Sequence, residues 1–346
     1  MRLAVNARVT AFSMGGQQRV TAEILKRLGP VEAVAPSRPL GGPRGHAWEQ
    51  FVLPLRTIGK LLWSPSATGP IVKRAQVVTL HDVAFLDAPE FFSANFARAY
   101  RLLLPPLMKR AAKVVTVSEF SRRRIAHWYG LDPERIEIIG NGVGEQFRRY
   151  DSESIAATRA ALDLPRRYFL LQATSDRRKN LSKALEAWAS ALPDLPADLH
   201  LVVSGNLART HVFGNMGPIG DFPRVKLVGY VAEEHMGPLL AGAEAFLFPS
   251  LYEGFGLPII EAMACGAPVL TSAATATQEV AGDAALLVDP ASAQEIAAGM
   301  KALAGDSWLR TRLSAAGEQR AKLYSWDDAA SQYRDLFQSL GADMRA

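Results

Sequence analysis

The stretch FPSLYEGFGLPIIEAMACGAPV, residues 248–269, carries the succession of signals that decides the fold. An apolar run leads into a glycine-containing loop, a helix pattern begins near Leu257, and a second apolar run follows Gly266. Pro258 suits the first turn of a helix, where its missing N–H leaves no bond unmade, and a glycine at 266 suits a left-handed exit. This order of strand, loop, helix and strand predicts one repeat of a parallel α/β sheet.

The same alternation continues on both sides of this segment. Six short runs in the second half are nearly continuously apolar, as strands buried on both faces of a parallel sheet are. The runs are Tyr168–Thr174, His200–Asn206, Val225–Val231, Ala245–Ser250, Pro268–Ala274 and Ala284–Pro290, with helix patterns near 180–191, 234–243, 257–266 and 291–304. The second half is therefore predicted to be an open, doubly wound α/β domain.

The first half repeats this pattern less regularly. Strands are predicted at Arg2–Ala7, Gln76–Leu80, Lys113–Val117 and Ile136–Ile139, and a helix with one apolar face at Val20, Ile24 and Leu28 follows the Gly15-Gly16 pair. Polar residues stand directly after two of these strands, and parallel sheets place ligands at the carboxyl ends of their strands. The candidates chosen on this ground are His81, Asp82 and Ser118.

The length of 346 residues favours two domains over one. We expect a first domain at residues 1–163, a second at 164–322, and a C-terminal helix at 323–346 that crosses back onto the first. The single cysteine, Cys265, excludes a disulfide-stapled scaffold. The chain contains no run of 18 apolar residues, and Asn6 and Arg8 interrupt the N-terminus too early for a secretory segment, so a cytoplasmic protein is expected.

The net charge of +5 conceals a division between the halves, +9 for residues 1–163 and −4 for residues 164–346. An anionic partner for the first half and chance surface composition both fit this division. Leucines are followed by cations over residues 102–113, which suits either peripheral contact with an anionic membrane or an ordinary helix with its leucines in the core. Nucleic acid is not an expected partner, because the cations lack interleaved aromatics.

Two carboxylates flank the glycine loop of the opening segment, Glu253 before the predicted helix and Glu261 within it. With Gly254 and Gly256 lacking side chains, the backbone N–H groups of the loop and the helix start can approach a phosphate. Carboxylates accept hydrogen bonds from hydroxyls, so the combination suits a sugar nucleotide. A loop cap and a solvated first-turn acid explain the same two residues without a ligand.

A second constellation, Asp176-Arg177-Arg178-Lys179-Asn180, follows the strand that begins at Tyr168. Three consecutive cations at the carboxyl end of a strand can neutralise a diphosphate. A solvated charge run that caps a helix is the alternative. The two constellations together favour phosphate binding.

The chain resembles the retaining GT-B glycosyltransferases of family 4. The segments that carry the resemblance are EGFGLPIIEAMACGAPV (253–269) with its Glu-x7-Glu spacing, Arg178–Asn180, Gly15-Gly16, VTLHD (78–82), VVTVSEFSRRRI (114–125), Asn141–Val143 and Ser325-Trp326. The resemblance implies two facing Rossmann-like domains with a cleft between them, the first for the acceptor and the second for the nucleotide-sugar donor. It also implies transfer with retention of anomeric configuration, without a metal or other cofactor.

The resemblance also assigns roles to individual positions. Catalytic roles fall to His81 and Glu253, ribose binding to Glu261, and the acceptor side to Asp82 and Ser118. The donor-binding positions are Gly16, Arg178, Lys179, Gly254, Phe255, Gly256, Leu257 and Glu261. Gln172–Thr174 depart from the family pattern, which leaves open which two of Arg177, Arg178 and Lys179 bind the diphosphate.

The chain looks most like bacterial mannosyl- and rhamnosyltransferases of surface polysaccharide synthesis, which points to GDP-mannose as donor. Donors such as dTDP-rhamnose or a UDP-sugar remain alternatives, as do a sugar-nucleotide epimerase and a non-catalytic sugar-binding protein. The expected acceptor is a glycan, free or linked to a polyprenyl diphosphate. No carboxylate is placed as an obvious nucleophile, so same-face substitution is expected, with the leaving diphosphate accepting the proton. Either His81 assists this step or it is a neutral strand-end histidine.

Overall fold

The computed structural model describes residues 1–11, 15–207 and 222–344. The chain divides into two compact units, Met1–Gly142 with Ser325–Ala346, and Val143–Tyr324. The second unit begins at Val143 rather than near residue 164, because the helix Ser152–Ala161 packs against Glu233–Ala241 of that unit. The Thr158 hydroxyl lies 3.2 Å from His235 Nδ1 across this contact.

Each unit is built on a parallel six-stranded sheet. The strands are β1 (Leu3–Asn6), β2 (Glu32–Val34), β3 (Leu61–Ser64), β4 (Gln76–Thr79), β5 (Lys113–Thr116), β6 (Ile136–Ile138), β7 (Arg167–Gln172), β8 (Leu199–Ser204), β9 (Val225–Gly229), β10 (Ala245–Phe248), β11 (Val269–Ser272) and β12 (Ala285–Val288). The first sheet has the order β2-β1-β3-β4-β5-β6, and the second has the order β12-β11-β10-β7-β8-β9. The predicted α/β class is confirmed, as are all six strands predicted for the second half.

Helices cover these sheets. They are α1 (Gly16–Leu28), α2 (Gly42–Phe51), α3 (Leu53–Arg56), α4 (Ala84–Asp87), α5 (Ala94–Arg110), α6 (Glu119–Tyr129), α7 (Ser152–Ala161), α8 (Leu181–Ala191), α9 (Glu233–Ala241), α10 (Leu257–Ala264), α11 (Thr275–Ala281), α12 (Ala293–Gly305), α13 (Ser307–Ala321) and α14 (Trp326–Ser339). Within the described ranges, no helix is long and apolar enough to cross a membrane.

Strand order determines where each sheet opens a crevice for a ligand. In the first sheet the chain moves to opposite sides of β1 to form β2 and β3, and in the second it moves to opposite sides of β7 to form β8 and β10. Ligands of open α/β sheets bind at the carboxyl ends of the strands next to such a reversal. The topology therefore singles out the loops after β1 and β3, and those after β7 and β10.

The C-terminal helix α14 packs within the first unit, against α1 and the sheet. The Tyr333 hydroxyl lies 2.9 Å from Thr79 Oγ1, and the Tyr333 ring centroid lies 5.0 Å from that of Trp63. Trp63 also donates a hydrogen bond to Thr79. These buried polar and aromatic contacts tie the end of the chain to β3 and β4.

Helix α5 contains most of the leucine- and cation-containing stretch 102–113. Leu104, Leu107 and Met108 are fully buried, and they pack against Val78 and Val114 of the sheet core. Their apolar face thus belongs to the core, as the simpler interpretation of residues 102–113 proposed. Leu102 is the exposed leucine of this helix.

The sequence analysis did not predict two strands of the first sheet, β2 and β3. Leu61–Ser64 is a buried run of four residues, and Glu32–Val34 is a short edge strand with two exposed positions. Neither is long enough to establish a two-residue period, so the sequence pattern does not distinguish them from loop.

Candidate functional site

The loops after β7 and β10 lie side by side at the carboxyl edge of the second sheet, at its reversal of strand order. The first contains a 3-10 turn, Arg177–Lys179, and the second runs from Pro249 to Gly256 before α10. The Leu251 amide donates to the Arg178 carbonyl at 2.8 Å, so the two loops are joined through their backbones. Both predicted donor-binding constellations therefore belong to one place on the fold.

Asn180 fixes this arrangement. Its side-chain Nδ2 donates to the carbonyls of Pro249, at 2.9 Å, and Pro290, at 2.7 Å, and the residue is buried. Its backbone is left-handed, with φ of 59°, a conformation that asparagine tolerates better than most residues. The motif included Asn180, but the sequence did not reveal that it links three loops.

Lys179 and Glu253 meet directly, although 73 residues separate them in the chain. Lys179 Nζ donates to Glu253 Oε1 at 2.8 Å and lies 4.7 Å from the centroid of the Phe248 ring. Both side chains are mostly buried, with 22% and 15% exposure. The residue predicted to bind the diphosphate, Lys179, is thus paired with the residue predicted to bind the sugar, Glu253. An anion that binds Lys179 must compete with the Glu253 carboxylate.

Arg178 makes a forked ion pair with Asp176. Its Nε lies 2.9 Å and its Nη2 2.5 Å from Asp176 Oδ2. Burial by itself would raise the pKa of Asp176, but the hydrogen bonds and charge of Arg178 outweigh burial and hold that pKa below its ordinary value. Arg177 is exposed, whereas Arg178 and Lys179 are half-buried beside the β10 loop.

The glycine loop leads into α10 as the sequence predicts. Gly256 has φ of +100°, a left-handed conformation that favours glycine, and it precedes the first helical residue, Leu257. Phe255 packs edge-on against Tyr324, with ring centroids 5.5 Å apart. Glu253 is fixed from the other side, since its amide lies 3.3 Å from Thr275 Oγ1.

Glu261 lies within α10 and is buried, with 6% exposure. The alternative interpretation, a solvated acid near the helix start, is therefore wrong. A carboxylate is rarely buried without polar partners. Glu261 is the fifth residue of α10, directly after its first turn, so the backbone N–H groups at the start of the helix belong to the preceding segment, residues 254–257.

In the first unit, His81 directly follows β4 and is buried, with 8% exposure. Its Nε2 lies 3.0 Å from the Pro65 carbonyl oxygen, which can only accept, so Nε2 carries the proton. Burial lowers the pKa of His81, and the Pro65 contact and Asp82 offset this only in part. The imidazole is therefore neutral at pH 7, and its Nδ1 is an acceptor.

Asp82 and Ser118 make local helix contacts. Asp82 Oδ1 accepts from the Ala84 amide at 3.0 Å, and Ser118 Oγ caps α6 by accepting from the Ser121 amide at 3.1 Å. Ser118 is 1% exposed. The structure places both at the carboxyl ends of adjacent strands, beside His81, whose carbonyl accepts from Thr116 Oγ1 at 3.3 Å.

Gly16 begins α1, and Gly15 precedes it without a side-chain cap. A Cβ built on Gly16 would have no heavy atom within 4 Å, so space is open beside this backbone. The described protein atoms around it therefore do not require glycine. An open helix start is compatible with the predicted approach of a phosphate.

A buried polar cluster that the sequence did not reveal lies where the first sheet reverses its strand order. Glu49 is fully buried, and its Oε1 accepts from Asn6 Nδ2 at 2.8 Å and Thr68 Oγ1 at 3.0 Å. Arg8 Nε lies 2.9 Å from the same oxygen. Burial alone would raise the pKa of Glu49, but His46, Arg8 and Asn6 together hold it below its ordinary value.

The cluster ties α2 to the loops that follow β1 and β3. Arg8 Nη2 also donates to Thr68 Oγ1 at 3.3 Å, so the carboxylate and the guanidinium share a partner. Asn6 lies within the predicted strand Arg2–Ala7 and is the last residue of β1, so a polar residue near a strand end could have drawn attention to it. Glu49 lies on α2, and no sequence pattern marked it as part of a site. Among the residues in the three described ranges, no group of three His, Cys, Asp or Glu side chains is placed to hold a metal ion.

Two family models match the chain. Glycosyltransferase Family 4 matches residues 61–147, and Glycosyl transferases group 1 matches residues 155–320. The first range includes His81, Asp82 and Ser118, and the second includes the cation turn and the Glu-x7-Glu segment.

Curated relatives agree with these models. The chain is 31% identical over 303 residues to O-antigen chain mannosyltransferase B of Escherichia coli, covering 86% of this chain and 78% of that protein. It is 30% identical over 277 residues to the serotype-specific mannosyltransferase WbdA of Escherichia coli, covering 76% of this chain and 33% of that protein. The chain thus spans about a third of WbdA.

Solved structures share the fold. The chain matches Anabaena HepE in complex with UDP and glucose with a TM-score of 0.77 at 19% identity, covering 97% of this chain and 99% of HepE. It matches WaaG, a glycosyltransferase involved in lipopolysaccharide biosynthesis, with a TM-score of 0.76 at 18% identity, covering 97% and 99%.

Proposed function

This chain belongs to the glycosyltransferases of family 4 with a GT-B fold, and on that premise we propose that it transfers mannose from GDP-mannose to a glycan or a lipid-linked glycan. The named relatives that act on mannose support the sugar, and the O-antigen relative supports a role in surface polysaccharide synthesis. Transfer would retain the anomeric configuration. We place the reaction in the cytoplasm, at the inner face of the cell membrane.

The observation that carries the proposal is the meeting of Lys179 with Glu253, 2.8 Å apart, at the reversal of strand order in the second sheet. A nucleotide sugar needs cations for its diphosphate and carboxylates for its hydroxyls within the length of one ligand. Lys179 and Arg178 supply the cations, and Glu253 and Glu261 supply the carboxylates. The contact between Lys179 and Glu253 supports a binding role for these four residues.

We propose that departure of the diphosphate is the central charge-separating step. The bond between the sugar C1 and the diphosphate oxygen breaks, negative charge grows on the phosphate, and Lys179, Arg178 and the amides of Gly254–Leu257 stabilise it. The acceptor hydroxyl bonds to C1 on the same face, and its proton passes to the leaving phosphate. This charge neutralisation by the protein is the basis for proposing a reaction without a metal.

His81 has a limited set of roles because it is neutral. Its Nδ1 would accept a hydrogen bond from a substrate hydroxyl, whereas an electrostatic role as a cation would need a proton that burial disfavours. Asp82 and Ser118 would then act on the acceptor side mainly by holding the loops around His81.

The test is transfer measured by mass spectrometry with GDP-mannose, dTDP-rhamnose and UDP-sugars against free and polyprenyl-diphosphate-linked glycans. We expect a mannose adduct on the acceptor, an α linkage by NMR, and activity that persists in EDTA. Glu253→Gln should lower the rate of transfer, whereas the matched control Glu186→Gln, at an exposed position, should leave the rate unchanged. Conversion of the donor without an acceptor product would overturn transfer in favour of epimerisation or hydrolysis, and sugar binding without turnover would favour a binding protein.

A further inference from the structure

Four large apolar side chains of the first unit are exposed on two segments, residues 51–58 and 69–73, that hydrogen bonds hold side by side. Phe51, Leu55, Ile58 and Val72 are 74%, 69%, 71% and 66% exposed. We call this set the α3 patch. Single exposed apolar side chains need no explanation, but an exposed group of this kind marks a surface that contacts an apolar partner.

Helical spacing and one hydrogen bond place the four residues on neighbouring parts of the surface. Phe51 and Leu55 are four residues apart on α2 and α3, which are joined by a helical Val52, so they share one face. Ile58 follows after three further residues. The Lys73 amine donates to the Thr57 carbonyl at 2.7 Å, which holds the turn containing Val72 beside the end of α3.

A second contact supports this placement. Gln50 Nε2 donates to the Gly69 carbonyl at 2.8 Å, and Gln50 Oε1 accepts from the Ile71 backbone N–H at 2.9 Å. The segment 69–73 therefore runs alongside residues 50–57.

The chain segment that forms the patch contains cations but no acid. Residues 50–81 contain no Asp or Glu, but they contain Arg56, Lys60, Lys73 and Arg74. Lys60 is neutralised by Glu32 at 2.5 Å, whereas Arg56 and Arg74 are exposed. An apolar group with a cationic rim complements a surface that is anionic outside and apolar beneath.

The position of the patch leaves the predicted site accessible. Ile58 precedes β3 and Val72 precedes β4, so the patch is at the amino ends of these strands. His81 follows the carboxyl end of β4, at the opposite edge of the same parallel sheet. A partner on the α3 patch would not cover His81.

We propose that the α3 patch docks this protein on a bilayer of anionic lipid. The apolar side chains enter the boundary between headgroups and acyl chains, and Arg56 and Arg74 bind the lipid phosphates. This inference goes beyond the proposed function by naming the membrane-contacting surface, which is not the stretch 102–113. Its test does not depend on glycosyl transfer.

The experiment measures sedimentation of the full chain with vesicles of phosphatidylcholine, with and without phosphatidylglycerol. We expect binding only to the anionic vesicles, and we expect Leu55→Ser with Ile58→Ser to lower the partition coefficient by about tenfold or more. Arg56→Gln with Arg74→Gln should weaken binding and reduce its salt dependence.

Matched controls are Leu102→Ser on α5 and Leu323→Ser in the second unit, which remove leucines of similar exposure, 74% and 67%, elsewhere. Both should bind vesicles as the unaltered protein does. Nucleoside diphosphate binding and the thermal unfolding midpoint should stay constant in every variant, which separates loss of docking from misfolding or a wrong active site.

Four results would overturn the inference, and three of them concern vesicle binding. They are absence of binding by the unaltered protein, unchanged binding by the double-serine variant, and a loss in Leu102→Ser as large as that in the double variant. A dimer of the unaltered protein that dissociates in the double-serine variant would also overturn it, because a second copy would then be the occupant.

Discussion

Replacing Glu253 with Gln should tighten the binding of a nucleoside diphosphate while it slows sugar transfer. Glu253 holds Lys179 at 2.8 Å, so a phosphate that binds Lys179 must approach the carboxylate as well. Coulomb's law at an effective dielectric of about 20 gives repulsion of about 3 kcal/mol between unit charges about 5 Å apart. Partial exposure of both side chains reduces this, and we expect a net gain of about 1 kcal/mol, or about fivefold in affinity.

The partner substitution should act in the opposite direction. Lys179→Gln removes a charge-assisted hydrogen bond to the diphosphate, worth about 1.5–3 kcal/mol, so affinity should fall by about 10- to 100-fold. Transfer should decline in both variants, because Glu253 is assigned to the donor sugar and Lys179 to the leaving group. Nucleotide affinity should therefore rise in Glu253→Gln and fall in Lys179→Gln, while the transfer rate falls in both. This combination distinguishes a residue that binds the sugar from one that binds the diphosphate.

The assay is calorimetric titration with GDP, UDP and dTDP, followed by transfer rates with the donor whose nucleotide binds. Lys183 and Glu186 on α8 form a more exposed ion pair at 2.9 Å and provide matched Gln variants that should leave both measurements unchanged. Weaker nucleotide binding by Glu253→Gln would refute the reasoning, since the carboxylate would then be needed to shape the loop. Unchanged binding by Lys179→Gln would remove that residue from the diphosphate site.

Four further substitutions or probes test other parts of the structure. Gly256→Ala forces a side chain onto a backbone with φ of +100°, so it should lower the free energy of unfolding by about 1–2 kcal/mol in denaturation experiments and weaken nucleotide binding in titrations. The control Gly305→Ala should change neither quantity, because a Cβ at that position has open space. Glu49→Gln leaves Arg8 without its buried anion and should cost about 3 kcal/mol in urea denaturation. Because the pKa of Glu49 is lowered in the folded protein, its stabilisation is present above the ordinary value of 4.5 and is lost as pH falls below it, a dependence that should be absent from the variant. The pKa of His81 is lowered in the folded protein, so the unfolded chain takes up this proton at a higher pH than the folded protein does. The free energy of unfolding should therefore decline as pH falls below 6.5, and His81→Gln should lose this contribution to the pH dependence. Burial raises the pKa of the Cys265 thiol to about 12, so a thiol reagent at pH 8 should label it only after unfolding, and rapid labelling of the native protein would contradict its burial.

Local sequence patterns were sufficient for the strands of the second half. Each is a short apolar run bounded by polar or glycine-containing turns. Burial on both faces explains this pattern for β7, β8, β10 and β11, whereas the edge strands β9 and β12 are apolar but only partly buried. Glycines at 256 and 266 marked both ends of α10, because their positive φ angles, +100° and +79°, are conformations other residues seldom adopt. The first sheet was harder, since β2 and β3 are too short to show a period.

Site residues divide in the same way. The sequence by itself singled out Glu253, Glu261 and the cations at 177–179 as candidates, because residue type and spacing beside a glycine loop are local properties. The ion pair between Lys179 and Glu253 could not be predicted from the sequence. Lys179 meets Glu253 only because β7 and β10 are adjacent in the sheet, and that adjacency depends on strand order.

The tertiary structure alone decided the features that depend on burial. It made Glu261 a buried acid, fixed the proton of His81 on Nε2 through Pro65, and assembled Glu49 with Arg8 from a helix and a loop. It also moved the candidate membrane surface from the leucines of α5, which fill the core, to Phe51 and its neighbours. Apolar side chains look alike in a sequence whether they are inside or outside, and packing against the sheet determines which of them remain in contact with solvent.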